Sequence, residues 1–312
     1  MKKTDRNYSF MKTVKIFFFL LLSVCFSSKI YCQFFKTDYE YYSNVPIYYE
    51  AGVGIGVMNC ITDVGGANSK TKYYLNEIKS KNFRPEVSVY AGIVYLDYLA
   101  ARLQGTRGQV RSGDYDITGK SIYADYKRNR NLSFKSNITE VALLIDFRPL
   151  VLFDLEPKKW APEPYITIGI GWFSFNPQTQ YNGRWVDLKP LHTEGQGFSE
   201  YPGVSDYKLS QVNIPLGIGL RYKLSPKFNI RLEYLHRKLF TDYLDDASRE
   251  KFIDPALFEK YLSPAAAADA RALYNRSLNG RTPPTRGIPK NNDTYMSLTL
   301  KLGVILSKRQ RR

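Results

Sequence analysis

The sequence predicts an all-β fold: an eight-stranded antiparallel transmembrane β-barrel with long external loops and short helices in the loop between strands seven and eight. Segments of about ten residues alternate apolar with polar side chains, which is the length and period of membrane-crossing strands. The connections between these segments are alternately short and long. The chain also contains 25 Tyr and 18 Phe, and aromatic side chains favour strands and the borders of a bilayer.

The N-terminal residues have the pattern of a secretory signal peptide. Basic Lys12 precedes an apolar run over residues 16–26, and a polar segment follows. We expect cleavage near Cys32, so that residues 1–32 are removed and residues 33–46 form an N-terminal extension of an exported protein. The apolar run is short of the roughly 20 residues that a membrane-spanning helix needs, which disfavours an uncleaved anchor.

Cysteine usage and hydropathy exclude three classes of protein. Cys25, Cys32 and Cys60 are too few for a disulfide framework or for a four-thiolate zinc site. No small residue precedes Cys25 or Cys32, which disfavours lipidation. No apolar stretch of about 20 residues follows the N-terminal segment, so a polytopic helical membrane protein is excluded as well.

The first half of the chain contains four of the predicted strands. Strand one sets Val53 and Ile55 on one face and Gly54 and Gly56 on the other. The second and fourth strands alternate aliphatic with polar residues in the same way, and the third does so more weakly. The four strands are expected near residues 47–58, 84–94, 99–111 and 132–147.

The other four strands follow a proline-rich turn near residues 149–164. Strands five and six repeat the glycine alternation, with Ile170 between Gly169 and Gly171 in strand five. Strand seven opposes aliphatic to charged residues, and strand eight carries a regular leucine face. These strands are expected near residues 165–172, 211–221, 228–237 and 295–306.

The loop lengths predict how the barrel sits in a membrane. The links after strands two, four and six are short, whereas those after one, three, five and seven are long, which is the outer-membrane arrangement of periplasmic turns and external loops. Residues 47–306 are therefore assigned to the barrel and residues 307–312 to a basic periplasmic tail. A soluble β-sandwich would also alternate apolar with polar residues, but wide aliphatic faces bordered by aromatic residues favour a lipid environment.

The polar faces of these strands carry charged residues. An eight-stranded barrel is filled by its own side chains, and inward glycines leave room for long charged ones. Because buried charges are stable only when paired, we expect a structural plug across the lumen, with a conducting or binding path as the alternative. The inward-facing charged residues are expected to be Glu50, Glu86, Arg102, Glu140, Arg221, Arg231, Glu233 and Lys301.

The longest insertion, between strands seven and eight, contains two helix starts. Asp254 before Pro255 and Ser263 before Pro264 each place an N-cap residue ahead of a proline at the first helical position. The alanine-rich residues 265–274 are therefore expected to be helical.

Candidate catalytic residues are few, because the only histidines are His192 and His236. The sharpest enzyme hypothesis places His236 at the barrel rim beside Asp242, Asp245 and Asp246, as the general base of a hydrolase. The same aspartates are candidates for a calcium site, although the EF-hand spacing is absent. A rim histidine and an acidic turn without chemistry are commoner, so the sequence predicts no enzyme and no catalytic, cofactor-binding or metal site.

The chain carries a formal net charge of +16. Such an excess often indicates nucleic-acid binding, but an exported barrel does not meet nucleic acid. Basic loop residues such as Lys127, Arg128 and Arg130 are expected instead to face outer-membrane lipid and lipopolysaccharide, through an attraction that salt weakens. Nothing in the sequence indicates a small-molecule substrate.

Six groups of residues in register carry a resemblance to a known family. They are Asn59 with Thr62–Gly65, Arg130–Ile138 with Glu140, Phe175–Pro177, Leu188–Gly197, Phe240–Asp246, and Arg286–Gly287 with Asn292–Tyr295. From about Tyr48 to Leu306 the chain resembles the PorG-like outer-membrane β-barrels of the type IX (Por) secretion system. It departs from the family at Thr294, where an aromatic residue is common, and at its basic C-terminal end.

The resemblance implies a non-enzymatic role in the outer membrane of a Gram-negative bacterium. The resemblance implies that the protein acts as an anchor. In this role it would tie a periplasmic ring, formed by the lipoprotein PorK and by PorN, to the machinery that exports proteins bearing a C-terminal sorting domain. PorK/PorN-like ring proteins are the implied partners, and there are no catalytic residues to carry over. We expect the ring to contact the tail 308–312 and the turns near residues 95–98, 154–159 and 225–227. A free-standing barrel with adhesive or lipopolysaccharide-binding loops is the alternative.

Overall fold

The computed structural model describes residues 46–65, 78–152, 162–204, 206–289 and 292–306. The predicted signal peptide (1–32), the N-terminal extension up to residue 45, the turn 154–159 and the basic tail (307–312) lie outside the described residues, and those assignments stay predictions.

Eight strands form a closed antiparallel barrel in which neighbours in sequence are also neighbours in space. The pairing runs β3-β2-β1-β10-β9-β8-β5-β4, and a further pairing of β3 with β4 closes the ring. The predicted fold class is therefore confirmed, and a two-sheet sandwich is excluded. The ten described strands are β1 (Ile47–Ile61), β2 (Arg84–Tyr95), β3 (Leu99–Gly113), β4 (Ser133–Phe147), β5 (Glu163–Ser174), β6 (Pro177–Tyr181), β7 (Arg184–Asp187), β8 (Ser210–Lys223), β9 (Phe228–Leu239) and β10 (Thr294–Ile305).

The sequence interpretation did not anticipate the hairpin of β6 and β7. This hairpin pairs with the first residues of β4, where Lys135 is opposite Gln178. Its turn residues Asn182 and Gly183 both have positive φ, as a two-residue hairpin turn of this kind requires. The Asn-Gly dipeptide was the sequence signal for it.

The alternation of short and long connections is confirmed. Residues 96–98 and 224–227 link strands at one end of the barrel, which we call the short-turn end, while the long loops gather at the opposite, long-loop end. The described parts of the connections contain four α-helices: α1 (Ile122–Arg130), α2 (Pro149–Leu152), α3 (Leu257–Tyr261) and α4 (Pro264–Tyr274). Within the described residues, no helix is long and apolar enough to cross a membrane.

The two helices predicted between the last two barrel strands are present. The Ser263 hydroxyl accepts a hydrogen bond from the Ala266 amide at 3.4 Å at the start of α4, as predicted for an N-cap. The other begins two residues later than Pro255, because the Asp254 carboxylate accepts the Ala256 amide at 2.9 Å in a turn that precedes α3.

The two faces of the barrel wall have opposite chemistry. Outward aliphatic side chains are left exposed, for example Ile55 at 67% and Ile218 at 63%. All eight charged residues that the sequence placed inside are buried. A polar interior within an apolar outer belt is the inside-out pattern of an outer-membrane β-barrel, and the chain has that fold.

Inward glycines make room for aromatic side chains as well as for charges. A Cβ atom at Gly219 would overlap the Tyr165 ring, and one at Gly52 would overlap the Tyr90 ring. Both rings are buried, and the Arg231 guanidinium lies 5.3 Å from the Tyr90 centroid and 5.7 Å from the Tyr165 centroid. The glycines therefore make room for two tyrosine rings that lie beside the Arg231 guanidinium.

Candidate functional site: the bridged lumen and the loop cap

Ion pairs cross the middle of the lumen between strands that are not neighbours. Arg102 on β3 pairs with Glu233 on β9, and these strands lie diametrically opposite in the ring. Arg102 also pairs with Asp146 at 3.0 Å, and Lys301 pairs with Glu233 and donates to Gln104 at 2.6 Å. These contacts fill the cross-section of the barrel with paired charges.

Arg231 links this layer to the neighbouring layer towards the short-turn end. It pairs with Asp146 at 2.9 Å and with Glu50 on β1. Nearer the long-loop end, Arg237 pairs with Glu140 at 3.0 Å, again between β9 and β4. The lumen is therefore bridged at several heights, as expected of buried charges that must be paired.

A further cluster lies at the short-turn end. Arg221 pairs with Glu163 at 3.1 Å and with Asp97 at 3.2 Å, while Lys223 pairs with Asp97 at 2.9 Å. Asp97 belongs to the turn between β2 and β3 and has φ of +60°. The sequence interpretation missed Asp97, Asp146 and Glu163 as partners, although Asp146 stood on the predicted polar face of its strand.

The long loops pack into a cap over the other end of the barrel. Its hydrophobic core contains Phe198 from the loop after β7, and Phe258 and Leu273 from α3 and α4. The same buried cluster includes Phe173 and Tyr295 from barrel strands. The cap is thus continuous with the barrel, and its loops are held by packing as well as by polar contacts.

Asp63, in the loop after β1, joins three long loops. Its backbone carbonyl accepts from Lys127 and Arg130 at 2.9 Å each, and its carboxylate accepts the Ile288 amide. Arg130 in turn pairs with Asp114 at 2.8 Å. Lys127 and Arg130 are consequently buried, so the expectation that they face lipopolysaccharide was wrong.

Arg286 joins the two largest loops of the cap. It pairs with Glu194 at 3.0 Å and with Asp246 at 3.4 Å, and it donates to the Thr193 hydroxyl at 2.7 Å. The Tyr207 hydroxyl donates to Asp246 at 2.8 Å. Burial raises the pKa of Glu194 to about 7, with Asp246 adding to the shift and Arg286 opposing it. Burial also raises the pKa of Asp246, with the Asp245 carboxylate adding to the shift and Arg286 opposing it.

The residues of the rim-hydrolase hypothesis are not assembled into one site. His236 lies on the outward face of β9, opposite Leu216 and Met296, whereas Asp245 and Asp246 lie buried in the cap. Their carboxylates accept donors from the protein, such as the Val64 amide at 2.8 Å for Asp245. Asp242 is also buried in the cap.

The structure indicates no metal centre in the parts of the chain that it describes. In those ranges no group of three or more His, Cys, Asp and Glu residues is arranged to hold a metal ion. His192, the other histidine, stacks at a tilted angle against Phe198 in the cap.

The groups of residues that carry the family resemblance converge in the cap. Thr62–Gly65, Arg130, Glu194, Asp246 and Arg286 provide the contacts by which the four long loops are tied together. The sequence interpretation located these residues but assigned them no structural task. Asp114, which lies in the loop after β3 and pairs with Arg130, gave no such signal.

Comparisons with known proteins give one family and several similar folds. A family model described as a domain of unknown function (DUF6089) matches residues 29–254. No curated protein matches the chain. Among solved structures, the attachment invasion locus protein Ail of Yersinia pestis has 11% identity and a TM-score of 0.34, over 83% of this chain and 99% of Ail.

Two other similar structures are a bacterial surface protein and an outer membrane protein. Neisserial surface protein A has 12% identity and a TM-score of 0.31, over 83% of this chain and 97% of its own. A major outer membrane protein from Thermus thermophilus has 13% identity and a TM-score of 0.33, over 83% and 99% of the two chains. The fold assignment itself rests on the strand pairing described above.

Proposed function

The chain belongs to the DUF6089 family, and we propose that it is a non-enzymatic structural component of the bacterial outer membrane that anchors the periplasmic PorK/PorN-like rings of type IX protein secretion. The observation that supports a holding role is the bridge between Arg102 and Glu233, which joins opposite walls of the lumen. A barrel closed in this way contributes by binding other proteins rather than by conducting solutes.

The cap supports the same proposal from the other end of the molecule. Arg286 and Asp63 tie the long loops to one another, so the described loops form a fixed cap over the barrel. The proposed role therefore needs neither a catalytic residue nor a cofactor.

The short-turn end is the proposed contact surface for the rings. Its described turns, residues 95–98 and 225–227, are brief, and Asp97 is held in place by Arg221 and Lys223. A rigid, charged surface of this kind is suited to a salt-sensitive contact that sets orientation. The resemblance to PorG-like barrels is what identifies the partner, and the basic tail 307–312 is the proposed auxiliary contact.

Two measurements on the intact protein test the location and the role. The protein should fractionate with the outer membrane and migrate faster on gels when unheated, because a closed barrel resists SDS. Deleting its gene should abolish export of cargo bearing the C-terminal sorting domain and detach the ring proteins from the outer membrane. Normal export by the deletion strain would contradict the anchoring role while leaving the barrel assignment intact.

A free-standing barrel with binding loops is the second candidate. It is favoured by apolar side chains on the surface of the cap, where Ile122 is 72% and Leu278 70% exposed. A deletion strain that secretes normally but loses adhesion or surface binding would support this candidate instead.

A further inference from the structure

Three cations lie close together on the outer wall of the barrel near the long-loop end. Arg107 and Arg111 face outward on β3, and Lys135 on β4 is directly opposite Arg111 in the register. Gln109 and Asn137 form the pair between them. Arg111 and Lys135 are cross-strand neighbours about 5 Å apart, while Arg107 lies four residues away on β3, about 13 Å from Arg111. The three long side chains therefore border one elongated cationic patch.

The charge of the cationic patch is not balanced by its surroundings. The acidic residues of the eight barrel strands, which the structure describes completely, all face the lumen: Glu50, Glu86, Glu140, Asp146, Glu163 and Glu233. Over the described residues, none of the three cations forms an ion pair with a carboxylate. One carboxylate lies nearby, because Asp187 on the neighbouring hairpin stands two strands from Lys135 in the same cross-strand row, but the three cations outnumber it. An anion from outside the protein is therefore attracted to this sector of the wall.

Aromatic residues position two of the cations. Arg111 donates a hydrogen bond to the Tyr115 hydroxyl at 2.7 Å. The Lys135 ammonium lies 3.6 Å from the centroid of the Trp185 ring, which is 45% exposed on the β6–β7 hairpin. Tyr and Trp beside cations are typical of the level of the lipid headgroups.

An apolar notch lies directly below the patch, towards the middle of the membrane. Gly105 faces outward two residues from Arg107 and stands between Val89 on β2 and Val141 on β4. A Cβ atom built on Gly105 would meet only a methyl group of Val89, at 3.7 Å, within 4 Å. The position is therefore open, and aliphatic side chains form its two walls.

We propose that the cationic patch and the Gly105 notch bind a phosphorylated lipid of the outer leaflet, of the lipid A class. Phosphate oxygens contact Arg107, Arg111 and Lys135, and an acyl chain lies over Gly105. Guanidinium groups suit this contact because they bind phosphate oxygens through paired N–H donors. The site deepens the proposed outer-membrane role and rests on it, since the long-loop end must face the outer leaflet.

The test uses the full chain in nanodiscs of neutral phosphatidylcholine, with bound lipid counted by native mass spectrometry. The probes are bisphosphorylated lipid A, the same lipid without its phosphates, and inorganic phosphate. The test variant is the triple substitution Arg107→Gln, Arg111→Gln and Lys135→Gln. Lys238→Gln is the matched control, because Lys238 is the remaining outward cation of the eight barrel strands and lies on β9. The heat-dependent gel shift checks that every variant is folded.

Each lost cation should weaken lipid A binding about fivefold, so the triple variant should bind lipid A about a hundredfold more weakly than the wild-type protein. Lys238→Gln should retain as much as wild type, and inorganic phosphate should not compete at millimolar concentration. Equal retention by the triple variant, equal loss in the control, or equal binding of dephosphorylated lipid would each overturn the proposal.

Gly105→Leu supplies an independent variant, because it fills the notch and leaves all three cations in place. It should weaken retention of lipid A without altering the salt dependence of binding, and unchanged retention would remove the notch from the site. The outcome is separable from that of the anchoring role. A variant that loses lipid but still holds the ring proteins supports both proposals, whereas ring loss in the deletion strain concerns the anchoring role alone.

Discussion

Replacing Arg231 with Met tests whether ion pairs inside the lumen stabilise the barrel, because the Arg231 side chain connects two buried carboxylates. Arg231 pairs with Asp146 at 2.9 Å and with Glu50. Removing one partner of a buried ion pair costs about 3–5 kcal/mol. Neither carboxylate is stranded, since Asp146 keeps Arg102 at 3.0 Å and Glu50 keeps Arg221 at 3.4 Å. We therefore expect a loss near the lower limit, about 3 kcal/mol in the free energy of unfolding.

Urea unfolding in detergent micelles, followed by the heat-dependent gel shift, measures this loss. With an m value of about 2 kcal/mol/M, the midpoint should fall by about 1.5 M. Lys238→Met, an outward change on the same strand, should stay within about 0.5 kcal/mol of wild type. Adding Glu50→Gln to Arg231→Met should recover part of the loss, because it removes a buried carboxylate that has lost its nearer partner and keeps only the 3.4 Å contact with Arg221. A midpoint unchanged by Arg231→Met would refute the claim that paired charges support the barrel.

Three further predictions concern the wall, the cap and the rim. Leu216→Arg places a charge on the lipid face and should cost about 2–4 kcal/mol in the same unfolding assay; tolerance equal to that of a change at inward Asn213 would mean that the faces are reversed. Because the pKa of Glu194 is raised to about 7 in the folded cap, the folded protein holds the Glu194 proton more tightly than the unfolded chain does. The free energy of unfolding should therefore fall by at most about 3 kcal/mol as the pH rises from about 4.5 to 7. Glu194→Gln should flatten this pH dependence, and a pH profile identical to that of wild type would contradict the buried pair. His236→Ala should leave export unchanged and the purified protein without peptidase or lipase activity; histidine-dependent turnover would restore the hydrolase hypothesis.

The strands and the faces of their side chains could both be predicted, because apolar and polar residues alternate with a period of two along each strand. Once Ile55 and Ile218 face lipid, their neighbours must face the lumen, and the inward charges follow. The pairing of those charges could not be predicted from one sequence. Arg102 meets Glu233, which is 131 residues away, only because barrel closure brings β3 and β9 to opposite walls.

The cap shows where sequence reasoning fails for a physical reason. Lys127 and Arg130 stand in a loop segment rich in charge and were expected to be exposed, but both satisfy the backbone carbonyl of Asp63. Their burial depends on a loop that begins more than 60 residues earlier, since the Lys127 contact spans 64 residues. Arg286 likewise reaches Glu194 across 92 residues. Local composition carries no information about such contacts.

Purification of the tagged full-length protein from its own membranes in mild detergent, with bound proteins identified by mass spectrometry, shows whether the barrel holds the proposed secretion rings. We expect PorK/PorN-like ring proteins to co-purify with the barrel at low salt and to be partly released at high salt. Recovery of a folded, heat-modifiable barrel without ring proteins at low salt would contradict the anchoring role.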